Sequence, residues 1–308
     1  MPHRDIAPRR RFLRRHSTEP IGLPASIAWS SIALLIFLGA IQEFGTLQPA
    51  LDTTIGMTAI ALILGGGIVS ISVFKLARRP HQDPSPRPPG KTARQRILGA
   101  DIQAWWLSVI SPLERYLARR QFSPNVVTLL SFSFSAAGCI FFHIGWMFLA
   151  GWVILFAGTM DILDGRVARS TGRVSRQGAF FDSVMDRYGE VLLFLGLAGR
   201  FRDSGLLYVI LLAMAGSLLV SYTRARAEGL GISCTVGIMQ RPERVVFLGF
   251  GSIFSSILHM LRGPLSIDAG PYLMWAVLVF IAVLSNYTAV SRLVYVMREL
   301  SKDRGPGR

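Results

Sequence analysis

The sequence predicts an all-α integral membrane protein, and two features of the chain support that fold class. Of its 308 residues 51% are apolar, and the mean hydropathy is +0.43, which is typical of a multi-span membrane protein. Several uncharged stretches also approach or exceed the roughly 20 residues that a helix needs to cross a bilayer. About eight spans are predicted, at Ile21–Gln42, Thr53–Phe74, Asn125–Gly145, Trp146–Asp161, Ala179–Ala198, Leu206–Tyr222, Val245–Leu261 and Pro271–Tyr287.

The first two spans are predicted to form a transmembrane hairpin that precedes the rest of the protein. A cluster of prolines follows the hairpin and predicts an extended linker. After the linker, Trp105 and Trp106 with nearby arginines indicate a helix in the lipid head-group region, broken near Pro112. The fourth span is short before Asp161, but its helix can continue to Arg169 beyond the hydrocarbon.

The remaining six spans are predicted to form one helical core. Ser123 and Pro124 are typical of an N-cap and a first helical residue, so the core begins there. The predicted parts are a basic tail with the two-helix hairpin (1–79), the proline-rich linker (80–96), the interfacial helix (97–122), the six-span core (123–298) and a basic tail (299–308).

Positive charge is concentrated before the first span, within Lys75–Arg120 and at the C-terminus. By the positive-inside rule, both termini and the aspartate-rich stretch face the cytoplasm, with the chain in the cell membrane. Arg200, Arg202 and Arg262 fall on the other side, a mild violation. Because the net charge of +15 flanks membrane spans and no recognition module is visible, anionic membrane lipids explain it better than nucleic acid does.

Four aspartates lie in the stretch DILDGRVARSTGRVSRQGAFFDSVMDR, which apolar runs enclose. Asp161 and Asp164 are three residues apart and Asp182 and Asp186 are four apart, so each pair projects from one face of a helix. An ionised aspartate at bilayer depth costs several kcal/mol unless it is paired, hydrated or bound to a metal. Four hard oxygen donors from two helices therefore predict a site for Mg²⁺ or Mn²⁺, with one or two ions.

Small residues and an arginine accompany the aspartates at fixed spacing. Gly165 and Gly178 would let a nucleotide or a neighbouring helix approach the backbone. The small side chain of Ala168 leaves the same helix face accessible. Arg169 can donate paired hydrogen bonds to a phosphate.

The complete pattern, D-x-x-D-G-x-x-A-R and, after eight residues, G-x-x-x-D-x-x-x-D, resembles the signature of the CDP-alcohol phosphatidyltransferases at every defined position. The resemblance covers about Ser123–Arg298 and implies a six-helix transferase core and a homodimer. It also implies roles for the residues of the pattern: metal ligation by Asp161, Asp164, Asp182 and Asp186, general-base catalysis by Asp186, and binding of the CDP donor by Gly165, Ala168, Arg169 and Gly178.

The implied reaction is attack by an acceptor hydroxyl on the phosphate attached to the lipid of a CDP-linked donor such as CDP-diacylglycerol. CMP leaves, and no covalent enzyme intermediate is needed. Tyr188 and Glu190, beside Asp186, are candidates for its support, although helix packing explains Tyr188 equally well.

A group of arginines further along the chain indicates an acceptor that carries its own phosphate. Arg224, Arg241 and Arg244 are the candidates for binding that phosphate, with Arg226 the weaker one, because guanidinium groups at a helix N-terminus suit an anion. The segment resembles that of phosphatidylinositol-phosphate and archaetidylinositol-phosphate synthases, which favours inositol phosphate as acceptor. Glycerol 3-phosphate remains the alternative, as in phosphatidylglycerophosphate synthases.

Competing interpretations exist for the aspartates. They could pair with Arg166, Arg169, Arg173, Arg176 and Arg187 as a structural charge network. An ion-coupled carrier could also use helix-borne carboxylates, but it would not require the glycines, Ala168 and Arg169 at these spacings. A catalytically inactive scaffold is a third alternative, which the intact pattern disfavours.

Overall fold

The computed structural model describes residues 100–262 and 267–303, and this part of the chain consists of seven α-helices. The predicted hairpin and proline-rich linker lie outside the described residues. The helices are α1 (Ala100–Arg119), α2 (Pro124–Ile144), α3 (Met147–Ser170), α4 (Arg176–Arg200), α5 (Leu206–Gly229), α6 (Arg241–Met260) and α7 (Gly270–Asp303).

Helix α1 corresponds to the predicted interfacial helix, but the predicted break near Pro112 was wrong. Pro112 lies inside one continuous helix. A proline cannot donate the helical hydrogen bond to the carbonyl four residues earlier, which here belongs to Ser108. The hydroxyl of Ser111 donates to that carbonyl oxygen at 2.9 Å instead. This substitute bond explains how the helix continues through the proline.

The predicted helix start at Ser123 and Pro124 is confirmed. Ser123 is the N-cap of α2 in extended conformation, and Pro124 is its first residue. Helix α3 continues to Ser170, past both of its aspartates, as the sequence suggested. Helix α6 starts at Arg241, so Arg241 and Arg244 lie at a helix N-terminus as predicted, and Pro242 is in its first turn.

All six helices predicted for the core are present, but they differ in polarity. Helices α2, α3, α5 and α7 are long and apolar enough to cross a bilayer. Helix α4 carries Asp182, Asp186, Arg187 and Glu190, and α6 opens with charged residues, so neither shows an equally apolar run. The total of eight spans stays a prediction.

The main apolar cluster of the bundle is formed by the six helices α2 to α7, and a smaller cluster attaches α1 to them. Ile110 and Leu117 of α1 pack with Val127, Leu163 and Val167 of α2 and α3. The main cluster receives side chains from all six other helices, including Phe142, Ile154, Leu193, Ile210, Leu248 and Leu278. The six core helices therefore form one body that can hold the polar residues at its end in fixed relative positions.

Close packing of α3 against α6 is what brings the polar ends of these two helices together. A methyl group on Gly158 would lie 2.8 Å from Cγ1 of Val245, which is closer than two carbons can approach. Gly158 precedes Asp161 by one turn, and Val245 follows Arg241 by one turn. The missing side chain at position 158 thus lets Arg241 reach the aspartates.

Candidate active site

The polar residues collect at one end of the bundle. Short connections make consecutive core helices run in opposite directions, so the late residues of α3, α5 and α7 meet the early residues of α2, α4 and α6. This geometry places Asp161 and Asp164 from α3 beside Asp182 and Asp186 from α4, although the two pairs are separated by a turn in the chain.

Three of the four predicted aspartates form a cluster suited to a divalent cation. Asp161, Asp182 and Asp186 each offer a carboxylate oxygen, and these three oxygens lie within 4.8 Å of one another. Oδ1 of Asp182 is buried and accepts no hydrogen bond. A buried oxygen without a donor is costly unless a ligand completes it. The donor set therefore fits Mg²⁺ or Mn²⁺, which prefer hard oxygen ligands.

The fourth aspartate is held differently. Asp164 is only 4% exposed, and its Oδ2 accepts a hydrogen bond of 2.7 Å from Oγ1 of Thr128 on α2. It does not belong to the group of three close oxygens. Thr128 was not predicted from the sequence. The one feature of the sequence that indicates it is its position in the first turns of a helix that begins beside the site. The bond fixes the Asp164 carboxylate against α2.

Arg241 lies among the aspartates. Its Nη1 is 2.6 Å from Oδ2 of Asp161 and 2.8 Å from Oδ2 of Asp186, so a single nitrogen joins two carboxylates from two helices. Its Nε is buried and has no hydrogen-bond partner. The sequence placed Arg241 with the acceptor phosphate rather than with the aspartates. The structure brings the two predicted subsites into contact through this residue.

Arg244, one turn along α6, makes a hydrogen bond from each of its three guanidinium nitrogens. Its Nε and Nη2 donate to Oε1 and Oε2 of Glu190 at 2.6 and 3.2 Å, and its Nη1 donates to the carbonyl oxygen of Met239 at 3.2 Å. The hydroxyl of Ser217 on α5 also donates to Oε1 of Glu190, at 2.5 Å. We call Glu190, Arg244 and Ser217 the buried triad.

Glu190 and Tyr188 were expected to support Asp186, but neither has that role directly. Glu190 lies on α4 one turn after Asp186, but its partner is Arg244 rather than Asp186. Tyr188 is 61% exposed and points away from the core. The buried triad supports the site indirectly, because it fixes the first turn of α6 from which Arg241 projects.

The small residues of the pattern border the aspartates on α3 and α4. Ser175 is the N-cap of α4, and its Oγ accepts a hydrogen bond of 3.0 Å from the backbone N–H of Gly178. Gly165 and Ala168 are half-buried and Arg169 is exposed. The predicted donor residues thus lie at the open end of α3 and at the beginning of α4, on either side of the turn that joins them.

Arg224 and Arg226 lie on the exposed last turns of α5. Nε of Arg224 is 2.8 Å from Oε1 of Glu228, one turn later on the same helix. This exposed pair has a different environment from the ion pairs of Arg241 and Arg244.

The structure contains only part of the charge network of arginines and aspartates that was considered as an alternative. Arg166 pairs with Glu114 on α1 at 2.6 Å, and Arg173 donates to Gln121. Of the five arginines considered, Arg187 is the one whose ion pair with an aspartate is found in the described part of the chain, at 3.7 Å from Asp186. Arg166 and Arg173 thus serve other contacts.

A family model described as CDP-alcohol phosphatidyltransferase matches residues 121–283. The chain belongs to the CDP-alcohol phosphatidyltransferase family. Its match covers the six core helices from just before α2 into α7, including the whole aspartate pattern. The protein is therefore a membrane enzyme of this family, and the carrier and inactive-scaffold alternatives lose their support.

Relatives of this CDP-alcohol phosphatidyltransferase are named as synthases of archaetidylinositol phosphate or phosphatidylinositol phosphate. It is 35% identical over 177 residues to the archaetidylinositol phosphate synthase of Methanothermobacter thermautotrophicus, a match over 57% of this chain and 84% of the relative. It is 34% identical over 214 residues to the phosphatidylinositol phosphate synthase of Streptomyces avermitilis, over 68% of this chain and 86% of the relative.

Solved structures of the Mycobacterium tuberculosis phosphatidylinositol phosphate synthase share the fold. The structure with CDP-DAG bound has a TM-score of 0.53 and 32% identity, and the match covers 61% of this chain and 93% of that one. A second structure of that enzyme, in complex with manganese and citrate, has a TM-score of 0.53 and 31% identity, over 60% of this chain and 88% of that one.

A second residue that the sequence did not predict in this transferase is Arg292, which holds the connection that leads to Arg241. It is 2% exposed, and it donates from Nε to the carbonyl oxygen of Val236 at 2.7 Å and from Nη1 to that of Val220 at 2.6 Å. The last predicted span ended at Tyr287, and Arg292 was counted only among the positive charges near the C-terminus. Helix α7 instead continues to Asp303.

The same helix contacts the connection before α6 a second time. Oγ1 of Thr288 accepts a hydrogen bond of 3.1 Å from the backbone N–H of Met239. Together with Arg292, this bond ties residues 236–239 to α7, immediately before Arg241. The position of Arg241 therefore depends on α7 as well as on the buried triad.

Proposed function

We propose that this enzyme transfers a phosphatidyl-type group from a CDP-linked lipid, such as CDP-diacylglycerol, to a hydroxyl of an inositol phosphate, with release of CMP. The observation that carries the proposal is the contact of Arg241, a candidate phosphate ligand, with the aspartate cluster. An acceptor phosphate bound by this guanidinium would have its hydroxyl groups close to the carboxylates.

The four aspartates are proposed as the metal ligands, with Asp186 also as the general base. Bound divalent cations supply compensation for the charge of the diphosphate. The carboxylate of Asp186 takes the proton of the acceptor hydroxyl, whose oxygen forms a bond to the phosphorus that carries the lipid. The bond from that phosphorus to CMP breaks, and CMP leaves with the electron pair.

The CDP donor is proposed to bind at Gly165, Ala168, Arg169 and Gly178. Support comes from their position around the turn between α3 and α4, with Arg169 exposed and free to turn toward a phosphate. A side chain at position 178 would approach Oγ of Ser175 to 3.0 Å, so glycine keeps this wall of the site open.

The acceptor phosphate is proposed to bind Arg241, with Arg224 and Arg244 as the other predicted ligands. Arg241 has the strongest support because it lies beside the carboxylates. Arg244 lines the same pocket as Arg241, with Glu190 and Ser135, but each of its three guanidinium nitrogens already donates a hydrogen bond within the protein. Glycerol 3-phosphate also carries a phosphate, and the names of the relatives favour inositol phosphate over it.

The site and both termini are proposed to face the cytoplasm. The chain is proposed to span the membrane eight times and to form a homodimer, and the lipid tails of the donor are proposed to enter between helices. The orientation is supported by exposed arginines at the aspartate end of the bundle, since cytoplasmic ends are rich in such residues. They are Arg115, Arg119, Arg120, Arg173 and Arg176.

The test is CMP release by the purified full-length protein with CDP-diacylglycerol and Mn²⁺ or Mg²⁺. Acceptors to compare are myo-inositol 1-phosphate, glycerol 3-phosphate, myo-inositol and serine, with the lipid product identified by mass spectrometry. Release with inositol phosphate is expected to be at least about tenfold faster than with myo-inositol or serine, which lack the phosphate and so lose a charged contact. It is also expected to be faster than with glycerol 3-phosphate. Faster release with glycerol 3-phosphate would move the assignment to that acceptor, and equal release with serine would argue against a phosphate site.

A further inference from the structure

We propose that Arg241 and the divalent cation exchange on Asp161 and Asp186, so that cation binding releases the guanidinium for the acceptor. The proposal rests on the proposed function for what the released guanidinium binds. Cation binding would then precede acceptor binding, and one residue would link the two events.

The exchange follows from a shared set of oxygen atoms. Nη1 of Arg241 contacts Oδ2 of Asp161 and Oδ2 of Asp186, which are two of the three carboxylates that can hold a cation together. A guanidinium hydrogen bond and a metal–oxygen bond both draw on the lone pairs of these atoms. Two positive charges at this distance also repel each other. The two cations therefore compete for Asp161 and Asp186.

Arg241 is bound in a way that allows it to leave, whereas Arg244 is not. The ion pairs of Arg241 involve Nη1, and its Nε has no hydrogen-bond partner. Its side chain is 23% exposed, against 3% for Arg244, which is bonded through three nitrogens. Moving Arg241 therefore breaks two ion pairs whose carboxylates the cation then binds, and no other ion pair of its side chain is found in the described residues.

The alternative is that Arg241 stays on the carboxylates and helps to fix them around the cation. The two arrangements predict opposite effects of removing its charge. Under exchange, the loss of a competitor strengthens cation binding. Under the alternative, the loss of an orienting contact weakens it.

The first experiment measures Mn²⁺ binding to purified Arg241→Gln by the loss of the free Mn²⁺ signal in electron paramagnetic resonance. An apparent Kd about tenfold lower than in the wild type is expected, as for loss of one competing charged contact. The matched control is Arg202→Gln, an exposed arginine paired with Asp203 at the other end of the bundle, which should bind as the wild type does. An unchanged or higher Kd for Arg241→Gln would overturn the proposal.

The second experiment needs no variant and therefore does not depend on the folding of Arg241→Gln. Phenylglyoxal reacts with accessible guanidinium groups, and peptide mass mapping gives its rate at each arginine. Saturating Mn²⁺ should speed the modification of Arg241 several-fold and leave that of Arg202 unchanged. Protection of Arg241 by Mn²⁺, or an unchanged rate, would show that the guanidinium keeps its place.

Failure of the exchange is distinguishable from failure of the proposed function, because neither measurement requires turnover. If CMP release with inositol phosphate as the acceptor is absent but both Mn²⁺ results are as expected, the exchange stands and the acceptor assignment falls. If CMP release occurs while Mn²⁺ leaves Arg241 unreactive, the transferase function stands and the exchange falls.

Discussion

The aspartate cluster with Arg241 and the buried triad are two ion clusters about one helical turn apart, and they differ in how completely their polar atoms are bonded. In the triad, both oxygens of Glu190 and the guanidinium of Arg244 are bonded. In the aspartate cluster, Oδ1 of Asp182 and Nε of Arg241 have no partner. Buried polar groups are normally satisfied, so the exceptions mark where a ligand belongs.

The difference shows that an ion pair close to an active site need not take part in the chemistry. The triad joins α4, α5 and α6 and stabilises the arrangement of helices. The aspartate cluster leaves bonding capacity unused and open to substrates. Variants that affect one cluster and not the other test this division of roles.

The largest effect on stability is expected from Glu190→Gln, because it leaves the buried charge of Arg244 without its counter-ion. Removing one partner of a buried pair costs about 3–5 kcal/mol. Thermal unfolding in detergent should show a large fall in Tm for this variant. Glu228→Gln, which removes the exposed partner of Arg224, is the matched control and should change stability by under about 1 kcal/mol. Equal shifts in the two variants would contradict a structural role for the triad.

A large effect on rate, with little effect on stability, is expected from Asp186→Asn. The amide cannot take the proton of the acceptor hydroxyl, so kcat should fall about 100- to 10,000-fold. Binding of the CDP-linked lipid, followed by equilibrium dialysis, should stay within about threefold of the wild type, since such a change is under 1 kcal/mol. Asp203→Asn, at the opposite end of the bundle, supplies the control. Unchanged turnover in Asp186→Asn would exclude this residue as the base.

The smallest effects concern the acceptor arginines and separate Arg241 from Arg224. Arg241→Ala should raise the KM for inositol phosphate about tenfold or more, and it should change the KM for the donor less, because a guanidinium–phosphate contact is lost. Arg224→Ala should raise the acceptor KM by no more than about threefold, since its side chain is exposed and paired with Glu228. Steady-state CMP release at varied acceptor and donor concentrations gives both constants. Equal rises for the two variants would indicate that the arginines share the phosphate.

The helices of the core and the aspartate pattern could be predicted because their signals are local. Apolar length gave the six core helices, and the spacing of Asp161 with Asp164 and of Asp182 with Asp186 placed each pair on one helix face. The continuation of α1 through Pro112 was not predicted. The expectation that a proline breaks a helix takes no account of the hydrogen bond that the Ser111 hydroxyl donates instead. The end of α7 was missed because its last turns are polar while the backbone remains helical.

By itself, the sequence determined the membrane class, the family pattern and the residue types that can hold a divalent cation, because each depends on composition or on spacing within a turn or two of helix. The tertiary structure alone decided which arginine meets which acid. Arg244 finds Glu190 and Arg241 finds Asp161 across separations of more than fifty residues, and Arg292 reaches the carbonyl of Val220 across 72. Such pairs depend on the packing of α3 to α7 against one another, and the spacing of residues in the sequence does not predict them.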